Sequence, residues 1–342
     1  MDINLIEIFL KDSGQPKFRL EQIRKAVYQD GVSDFNEISN IPKNLRPLLG
    51  KKISVLSFET EKILVASDKK AFKALLRLKD GNHIETVLIS PKPGDWSACI
   101  SSQAGCELGC GFCATGKAGF KRNLSAEEIT DQVLFWRQYL KKLQMGLKFT
   151  VVYMGMGEPF LNWENVEKSI LDLIDPQLFG FGSRSISVST VGIPEGIEKM
   201  AEKFPQINLA ISLHFADDIK RNKFVPVNKK YNLADLRGAI QKYFRKTRRK
   251  IFIEYVVIDN VNDNLEDAKE LAQYLESIGD MYLLHVNLIR CNPAGGNKLE
   301  PADKEKTKKF KNYLLKNNIN CTIRKSLGTD IQGACGQLAA GN

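Results

Sequence analysis

Residues 101–116 have the sequence SSQAGCELGCGFCATG, with cysteines at Cys106, Cys110 and Cys113. Glycines lie on both sides of these cysteines, and glycine lets a backbone wrap tightly around a compact group. A structural zinc site uses four ligands, but this C-x3-C-x2-C loop contains three cysteines and no histidine. Thiolates are also the usual ligands of iron–sulfur clusters, and three of them would leave one iron open for a further ligand. The loop therefore predicts a metal centre; a zinc site completed from elsewhere and three buried free cysteines are the alternatives.

Outward from this loop, apolar β-branched runs alternate with helix-period segments from about residue 85 to the C-terminus. The predicted strands are residues 98–101, 149–154, 186–190, 207–214, 251–258, 282–289 and 321–325. Ser125 and Glu128 form a capping box before one of the intervening helices, and Asn264 can cap another. Strands that alternate with helices form βα units on a parallel sheet. About six such units can close partly, so we predict an α/β fold with a partial (β/α)6 barrel similar to a TIM barrel.

Residues 1–80 have a different pattern and predict a small N-terminal accessory domain, which precedes a barrel domain at 85–342. Short amphipathic stretches come first, and alternating runs follow them at residues 51–66 and 73–78. Lysines and arginines lie between the apolar positions, and the segment contains no cysteine. This pattern favours a domain that binds RNA, and a domain that only packs against the barrel is the alternative.

The chain as a whole is basic, with 50 Lys and Arg residues against 40 Asp and Glu residues and a net charge of +10. This balance favours a polyanionic partner, nucleic acid above all, although a basic solvated surface is equally compatible with it. No run approaches the roughly 20 apolar residues of a membrane helix, and the N-terminus lacks the order of a signal peptide. We therefore expect a cytoplasmic protein with no membrane partner. Seven cysteines, four of them within residues 99–113, indicate metal or redox chemistry rather than a disulfide framework.

Short polar motifs follow several of the predicted strands. They are GMGEP at residues 155–159, STVG at 189–192, SLH at 212–214 and Asn292-Pro293. Each motif alone is typical of an ordinary turn or helix cap, and a histidine in such a place is usually structural. Because the carboxyl ends of parallel strands meet at one edge of a barrel, we expect these motifs to share a site.

Three further residues carry reactive groups but are unremarkable when taken singly. Cys335 lies in GACGQL, where small neighbours leave its thiol open to attack or oxidation. Cys99 precedes the cysteine loop and is not needed to complete it. Glu85 lies in an alternating strand, where a lone carboxylate is normally solvated. An exchange of thiols between Cys99 and Cys335 is chemically feasible if the fold brings them together.

The C-x3-C-x2-C spacing resembles the signature of the radical S-adenosylmethionine (SAM) superfamily. Together, the cysteine loop, GMGEP, STVG, SLH and ACGQL resemble in order and spacing the RNA adenine methyltransferases of the RlmN/Cfr family. The resemblance extends from about Glu85 to Leu338 and implies a partial barrel, a 4Fe-4S cluster on Cys106, Cys110 and Cys113, and two SAM molecules per turnover. The positions that match the family's SAM contacts are Gly157, Glu158, Ser189, Ser212, Leu213, His214 and Asn292.

The resemblance also implies a covalent route to a methylated RNA base. C2 of adenine is electron-poor and is a weak nucleophile, so direct transfer from SAM is unfavourable. Cys335 would first accept a methyl group, and a radical made from a second SAM would activate that group. Glu85 would remove the ring proton, and Cys99 would release the product by attacking Cys335. The implied partners are 23S rRNA, tRNA and an electron donor such as flavodoxin or ferredoxin, and we expect a monomer.

Two alternatives to this function stay open. The resistance branch of the same family methylates C8 of the same 23S rRNA adenine; Pro159 resembles the C2 branch, whereas Arg290 resembles the C8 branch. C2 is preferred as the housekeeping activity. A non-catalytic, metal-containing RNA-binding protein is the alternative of another class. In either case the basic runs at residues 245–250 and 304–311 are candidates for phosphate binding, or for a merely solvated helix face.

Overall fold

The computed structural model describes residues 1–293 and 298–339. The strands within these residues are β1 (Phe58–Val65), β2 (Ala71–Leu78), β3 (His83–Lys92), β4 (Asp95–Cys99), β5 (Gln103–Gly105), β6 (Phe120–Asn123), β7 (Phe149–Tyr153), β8 (Ile186–Thr190), β9 (Asn208–Ser212), β10 (Ile251–Val257), β11 (Leu284–Arg290) and β12 (Cys321–Ile323). The α-helices are α1 (Ile3–Asp12), α2 (Phe18–Arg24), α3 (Leu45–Lys52), α4 (Ala114–Ala118), α5 (Ala126–Lys142), α6 (Trp163–Ile174), α7 (Pro194–Lys203), α8 (Asp218–Phe224), α9 (Leu233–Thr247), α10 (Leu265–Ile278) and α11 (Lys304–Lys316).

One large sheet forms the centre of the molecule, in the strand order β1-β2-β3-β4-β7-β8-β9-β10-β11-β12. From β4 to β12 every neighbouring pair is parallel, and helices lie between the successive strands. These strands are largely buried, and polar residues such as Ser189, Glu254 and Asn287 lie between their apolar ones. The first three pairs, β1 to β4, are antiparallel. The partial (β/α)6 barrel predicted from the sequence is confirmed.

All seven strands predicted for the barrel are present, with small differences at their ends. The strand predicted at residues 207–214 ends at Ser212, because the chain turns there and His214 has a positive φ of 60°. The capping box before α5 is present, since Ser125 Oγ accepts from the amide of Glu128 at 3.1 Å. Asn264 caps α10 in the same way.

The N-terminal residues form α1 to α3 and then enter the large sheet through β1 and β2. The sheet is continuous across residues 80–85, and the division of the chain into 1–80 and 85–342 stays a prediction. Arg137 of α5 is buried, donates to the carbonyl oxygens of Tyr28 and Phe179, and contacts several aromatic rings. It thereby ties the N-terminal helices to the barrel. No helix among the described residues is both long and apolar enough to cross a membrane.

Candidate active site

The cysteine loop, residues 106–113, follows β5 at the carboxyl edge of the parallel strands and is held by backbone hydrogen bonds. The amide of Cys106 donates to the carbonyl of Gly119 at 3.1 Å, and the amide of Gly111 donates to the carbonyl of Phe224 at 2.8 Å. Gly105 has a φ of 81°, and a Cβ atom there would lie 1.8 Å from the oxygen of Gly119. Glycine is therefore required where the loop begins, because no side chain could fit.

The three thiols of the loop are free and partly buried. Burial, followed by smaller effects of neighbouring groups, raises the pKa of Cys106 to about 12, and burial also raises the pKa of Cys110. Cys113 and the carboxylate of Glu158 each raise the pKa of both thiols further, so the four groups lie near one another. Thiolates in such surroundings need a positively charged partner, and iron is one.

The donor set of the loop fits a 4Fe-4S cluster, because its three thiols come from one short segment and thiolates are the usual ligands of such clusters. Within residues 1–293 and 298–339, no three His, Cys, Asp or Glu side chains are placed to hold a single ion.

The GMGEP segment follows β7 and packs against β5, the strand that leads into the cysteine loop. A Cβ atom on Gly157, which has a φ of 96°, would lie 2.5 Å from Cβ of Gln103. The Glu158 carboxylate is buried and accepts from the amides of Val191 at 2.8 Å and Phe160 at 3.1 Å. Burial raises the pKa of Glu158 to about 7. A ligand ammonium group beside it would favour the ionised form.

The next two strand ends place Ser189, Ser212, Leu213 and His214 side by side. The hydroxyl oxygens of Ser189 and Ser212 are 3.2 Å apart. Nδ1 of His214 accepts a hydrogen bond from the amide of Val256 at 3.2 Å, so this nitrogen carries no proton and the ring is neutral. Burial, with a smaller effect of Arg221, lowers the pKa of His214 to about 3. The His214 ring contacts the ring of Phe112 in the cysteine loop, with centroids 4.7 Å apart.

The C-terminal segment, residues 328–339, lies against the cysteine loop and across the edge of the barrel. The amide of Ala114, just after Cys113, donates to the carbonyl of Gly336 at 2.8 Å. The side chain of Asn292 donates to the carbonyl of Cys335 at 3.1 Å. Further contacts run from Thr115 Oγ1 to the carbonyl of Leu338 at 2.6 Å and from Gln337 Nε2 to that of Pro293 at 2.9 Å.

Cys335 is exposed, but protein groups surround its thiol at longer range. That desolvation raises the pKa of Cys335, with further contributions from Glu254 and Cys113. Burial, followed by the nearby thiol of Cys335, likewise raises the pKa of Cys99. The fold thus brings Cys335 close both to Cys99 at the end of β4 and to the last cysteine of the loop.

Glu85 is buried, which differs from the solvated carboxylate usual on an alternating strand. Its side chain is 3% exposed and forms an ion pair with Lys73, with 2.9 Å between Oε1 and Nζ. Its other oxygen, Oε2, accepts from the amide of Ala339 in the C-terminal segment at 2.7 Å. The structure therefore joins Glu85 to the same segment that carries Cys335.

Three residues that the sequence analysis did not single out also belong to this region, namely Lys73, Arg221 and Glu254. Lys73 and Glu254 carry a detectable signal, since each is a charged residue among buried apolar neighbours in its strand. Arg221 is buried, and its Nε donates to the carbonyl of Leu213 at 3.1 Å. Nothing in the local sequence distinguishes Arg221. Met156, within the GMGEP motif, accepts from the amide of Glu85 through its sulfur.

The two basic runs are not brought together with the site. Residues 245–250 end α9 and lead into β10, so they lie at the amino edge of the strands, opposite the cysteine loop. Residues 304–311 belong to α11, where Lys306 forms ion pairs with Asp259 and Asp263. Arg290 donates through Nε to the carbonyl of Ala302.

Comparisons with known proteins agree with this arrangement. Residues 100–275 match the family model described as the radical SAM superfamily, and residues 1–55 match one described as the ribosomal RNA large subunit methyltransferase N-terminal domain. The chain is 41% identical to the dual-specificity RNA methyltransferase RlmN of Nautilia profundicola, over 95% of this chain and 93% of that protein. It is 42% identical to a probable dual-specificity RNA methyltransferase RlmN of Caldicellulosiruptor saccharolyticus, over 96% and 93%.

Two further similarities extend the comparison. The ribosomal RNA large subunit methyltransferase Cfr of Bacillus velezensis is 38% identical, over 97% of this chain and 95% of that protein. Among solved structures, a radical SAM methyltransferase from Sphaerobacter thermophilus superposes with a TM-score of 0.92 at 36% identity, covering 99% of this chain and 98% of the other. The similarity therefore extends over the N-terminal helices, the barrel and the C-terminal segment together.

Proposed function

The chain belongs to the RlmN/Cfr family of the radical SAM superfamily, and from this premise we propose that it is an RNA methyltransferase that methylates C2 of adenine in 23S rRNA and in tRNA. One observation carries the proposal above all. Cys335, an exposed thiol, lies close both to Cys99 and to the cysteine loop. A cysteine in that place can carry a methyl group from a cofactor to a substrate and can then be released by a second thiol.

The cofactors are assigned to the residues whose geometry fits them. Cys106, Cys110 and Cys113 would hold the 4Fe-4S cluster, and Glu158 would receive the ammonium group of SAM. The remaining SAM contacts would come from Gly157, Ser189, Ser212, Leu213, His214 and Asn292. When bound, the cluster and SAM supply one-electron cleavage of a carbon–sulfur bond, which yields a carbon radical. Two SAM molecules are consumed per turnover in this scheme, one to methylate Cys335 and one to activate that methyl group.

Cys335 carries the methyl group as an S-methylcysteine intermediate. Its sulfur would gain a bond to the methyl carbon as the bond between that carbon and the sulfonium sulfur of SAM breaks, and its thiol proton leaves. The exposure of Cys335 gives access to the methyl donor and afterwards to the RNA base. Asn292 holds the carbonyl of Cys335 at 3.1 Å and so orients the residue toward the barrel.

Glu85 and Cys99 complete the reaction after the methyl carbon has joined the base. Glu85 takes the proton from C2, and the electron pair of that bond stays in the ring. Addition of a carbon radical leaves one unpaired electron on the base, and that electron would return to the cluster. The sulfur of Cys99 then attacks the sulfur of Cys335, forming a disulfide. The electron pair of the sulfur–carbon bond leaves with the transferred carbon, which takes up a proton to become the methyl group. A thiol reductant must reopen the disulfide before the next turnover.

The substrates and partners follow from the same assignment. The net charge of +10 suits RNA, and a base in a single-stranded loop can reach Cys335 without the opening of a helix. The proposal includes an electron donor such as flavodoxin or ferredoxin, RNA contacts by the N-terminal helices, and a monomeric enzyme.

The experiment combines cell-expressed protein with mass spectrometry of RNA nucleosides. Expression in a strain without its own enzyme should yield 2-methyladenosine in 23S rRNA and tRNA. The Cys335→Ala variant should yield none while retaining its iron. Cys321→Ser, a change at a buried cysteine of β12, is the matched control and should behave like the wild type. Methylation by Cys335→Ala would refute the covalent role of that residue.

A second candidate is methylation at C8, which the relative named Cfr and the presence of Arg290 favour. Arg290 is directed to the carbonyl of Ala302, so it takes no part in the cluster of site residues described above. Nucleoside analysis separates the two outcomes directly. The appearance of 8-methyladenosine without 2-methyladenosine would move the assignment to C8.

A further inference from the structure

Lys73 is a buried cation in the middle of β2, a strand whose other inward residues are apolar. Its side chain is 7% exposed, and its Nζ lies 2.9 Å from Oε1 of Glu85. A charge is costly to remove from water, and a buried one is retained only where a partner compensates for it. Among the described residues, Glu85 is the one carboxylate within ion-pair distance of Lys73. The pair crosses from β2 to β3, two neighbouring antiparallel strands.

The backbone of Glu85 is fixed independently of this ion pair. Its amide donates to the sulfur of Met156 at 3.2 Å, and its carbonyl accepts from the hydroxyl of Ser101 at 2.6 Å. The side chain has different partners. Lys73 holds Oε1, and the amide of Ala339 holds Oε2. One partner is thus on β2, the neighbouring strand of the sheet, and the other is on the segment that carries Cys335.

We propose that Lys73 is a positioning residue for the methyl transfer, which holds the Glu85 carboxylate in place when the C-terminal segment moves. Movement of the segment takes the amide of Ala339 away from Oε2 and opens that oxygen to the adenine ring. At that moment Lys73 is the remaining partner of the carboxylate. Without that cation, the carboxylate would have no charged partner among the described residues and would no longer be held where the ring proton is removed.

The step needs no reactant beyond those of the proposed function, in which the one unpaired electron left by radical addition would return to the cluster. The bond between C2 and its hydrogen breaks, its electron pair stays in the ring, and the proton goes to Oε2 of Glu85. Lys73 forms and breaks no covalent bond and keeps its own protons. The inference rests on the proposed function, since it assigns Lys73 to the proton-removal step of that reaction alone.

A purely structural role for the ion pair makes a different prediction. If Lys73 only joins β2 to β3, its loss should weaken every activity of the chain alike, including methylation of Cys335. If it acts through Glu85, methylation of Cys335 should continue. The reaction should then stop after the methyl carbon has joined the base, leaving the RNA covalently attached to Cys335.

The experiment compares Lys73→Met with Lys73→Arg and with Lys62→Met, an exposed lysine of β1 that serves as control. Each reconstituted enzyme is given SAM, a reductant and an rRNA fragment. Three quantities are measured, namely methyl groups on Cys335 by protein mass spectrometry, RNA that migrates with the protein under denaturing conditions, and released methyladenosine. For Lys73→Met we expect unchanged methylation of Cys335, accumulation of attached RNA, and about a hundred-fold less released product.

The other variants make the result decisive. Lys73→Arg retains a cation and should recover at least a tenth of the wild-type product, whereas Lys62→Met should match the wild type. The double variant Lys73→Met/Glu85→Gln removes both charges, so it folds even if the single change does not, and it should also accumulate attached RNA. Wild-type product release by Lys73→Met overturns the inference, and so does an equal loss of Cys335 methylation and product. A wild-type chain that methylates neither Cys335 nor RNA instead contradicts the proposed function itself.

Discussion

The cysteine loop and the C-terminal segment lie against each other, but they are held by different kinds of contact. Backbone hydrogen bonds to Gly119 and Phe224 fix the loop, and Gly105 leaves no space for a side chain at its start. The segment has one backbone hydrogen bond to the end of the loop, from Ala114 to Gly336, and its other contacts each involve a side chain, as at Asn292 and Thr115. Single contacts of that kind can be broken and remade without unfolding the barrel.

This difference matches what each region must do. A cluster is held in one geometry throughout the reaction, so its ligands gain from a backbone that cannot relax. In the proposed reaction Cys335 meets SAM, an RNA base and Cys99 in turn, so the residue needs a segment that can change its contacts. The predictions below test the contrast between a fixed loop and an exchangeable segment.

The largest effect is expected from removing a ligand in the fixed loop. Cys110→Ser should lose bound iron and the brown colour of the cluster, and RNA methylation should fall by more than about a thousand-fold. The physical reason is that a hydroxyl does not replace a thiolate as an iron ligand. Iron analysis and nucleoside mass spectrometry measure the two quantities. Cys321→Ser is the control, and an iron-replete, active Cys110→Ser enzyme would place the cluster elsewhere.

The second prediction compares two glycines that share a positive φ. Gly105→Ala must push its Cβ into the carbonyl of Gly119, 1.8 Å away, so we expect a loop that no longer retains iron. Gly336 lies in the segment, where a Cβ would be 3.3 Å from the carbonyl of Phe112. Gly336→Ala should therefore cost only about 1 kcal/mol and retain iron. Iron content after reconstitution distinguishes them, and equal iron loss in both variants would contradict the contrast.

The fold was predictable because its signals are local and repeated. Each barrel strand is a short run of three to seven residues in which buried apolar positions recur, and capping residues such as Ser125 and Asn264 mark where helices begin. The end of β9 was less predictable, because Leu213 continues the apolar run although the chain has already turned. Periodicity reports which residues are buried, and it does not report where a strand stops pairing.

The candidate site was only partly predictable, for a physical reason. The cysteine loop is contiguous, so its spacing carries its chemistry. Cys335 and Glu85 are 250 residues apart in the chain, and neither has neighbours in sequence that reveal its partners. The burial of Glu85 depends on Lys73 of another strand and on the amide of Ala339. Such contacts depend on tertiary packing, which the alternating pattern of a single strand does not encode.

The third prediction concerns His214, which supports the loop through Phe112. Because its folded-state pKa is about 3, against about 6.5 when unfolded, the unfolded chain binds more protons between these values. The contribution of the neutral His214 ring to the free energy of unfolding is fully present above about pH 6.5 and is lost as the pH falls toward 3. Between pH 7 and 5 the free energy of unfolding should fall by about 1 to 2 kcal/mol more in the wild type than in His214→Asn.

Urea unfolding at the two pH values measures this difference for the purified chain. Asparagine tolerates the positive φ of this position. The variant therefore removes the titrating ring without straining the backbone. Any stability lost with the ring contact to Phe112 appears at both pH values and cancels. The same pH dependence in both proteins would show that other groups govern acid sensitivity.

The smallest effect is expected from one contact of the C-terminal segment. Thr115→Val keeps the shape of the side chain but removes the hydrogen bond to the carbonyl of Leu338, so docking of the segment should weaken by about 1 kcal/mol, or roughly fivefold. Hydrogen exchange at Ala339 reports this directly, because its amide is protected only while it donates to Glu85. Exchange there should quicken by that factor, while Thr130→Val, on α5, leaves it unchanged. An unaltered rate in Thr115→Val would mean that the segment is held as firmly as the loop, and the contrast between the two regions would then fail.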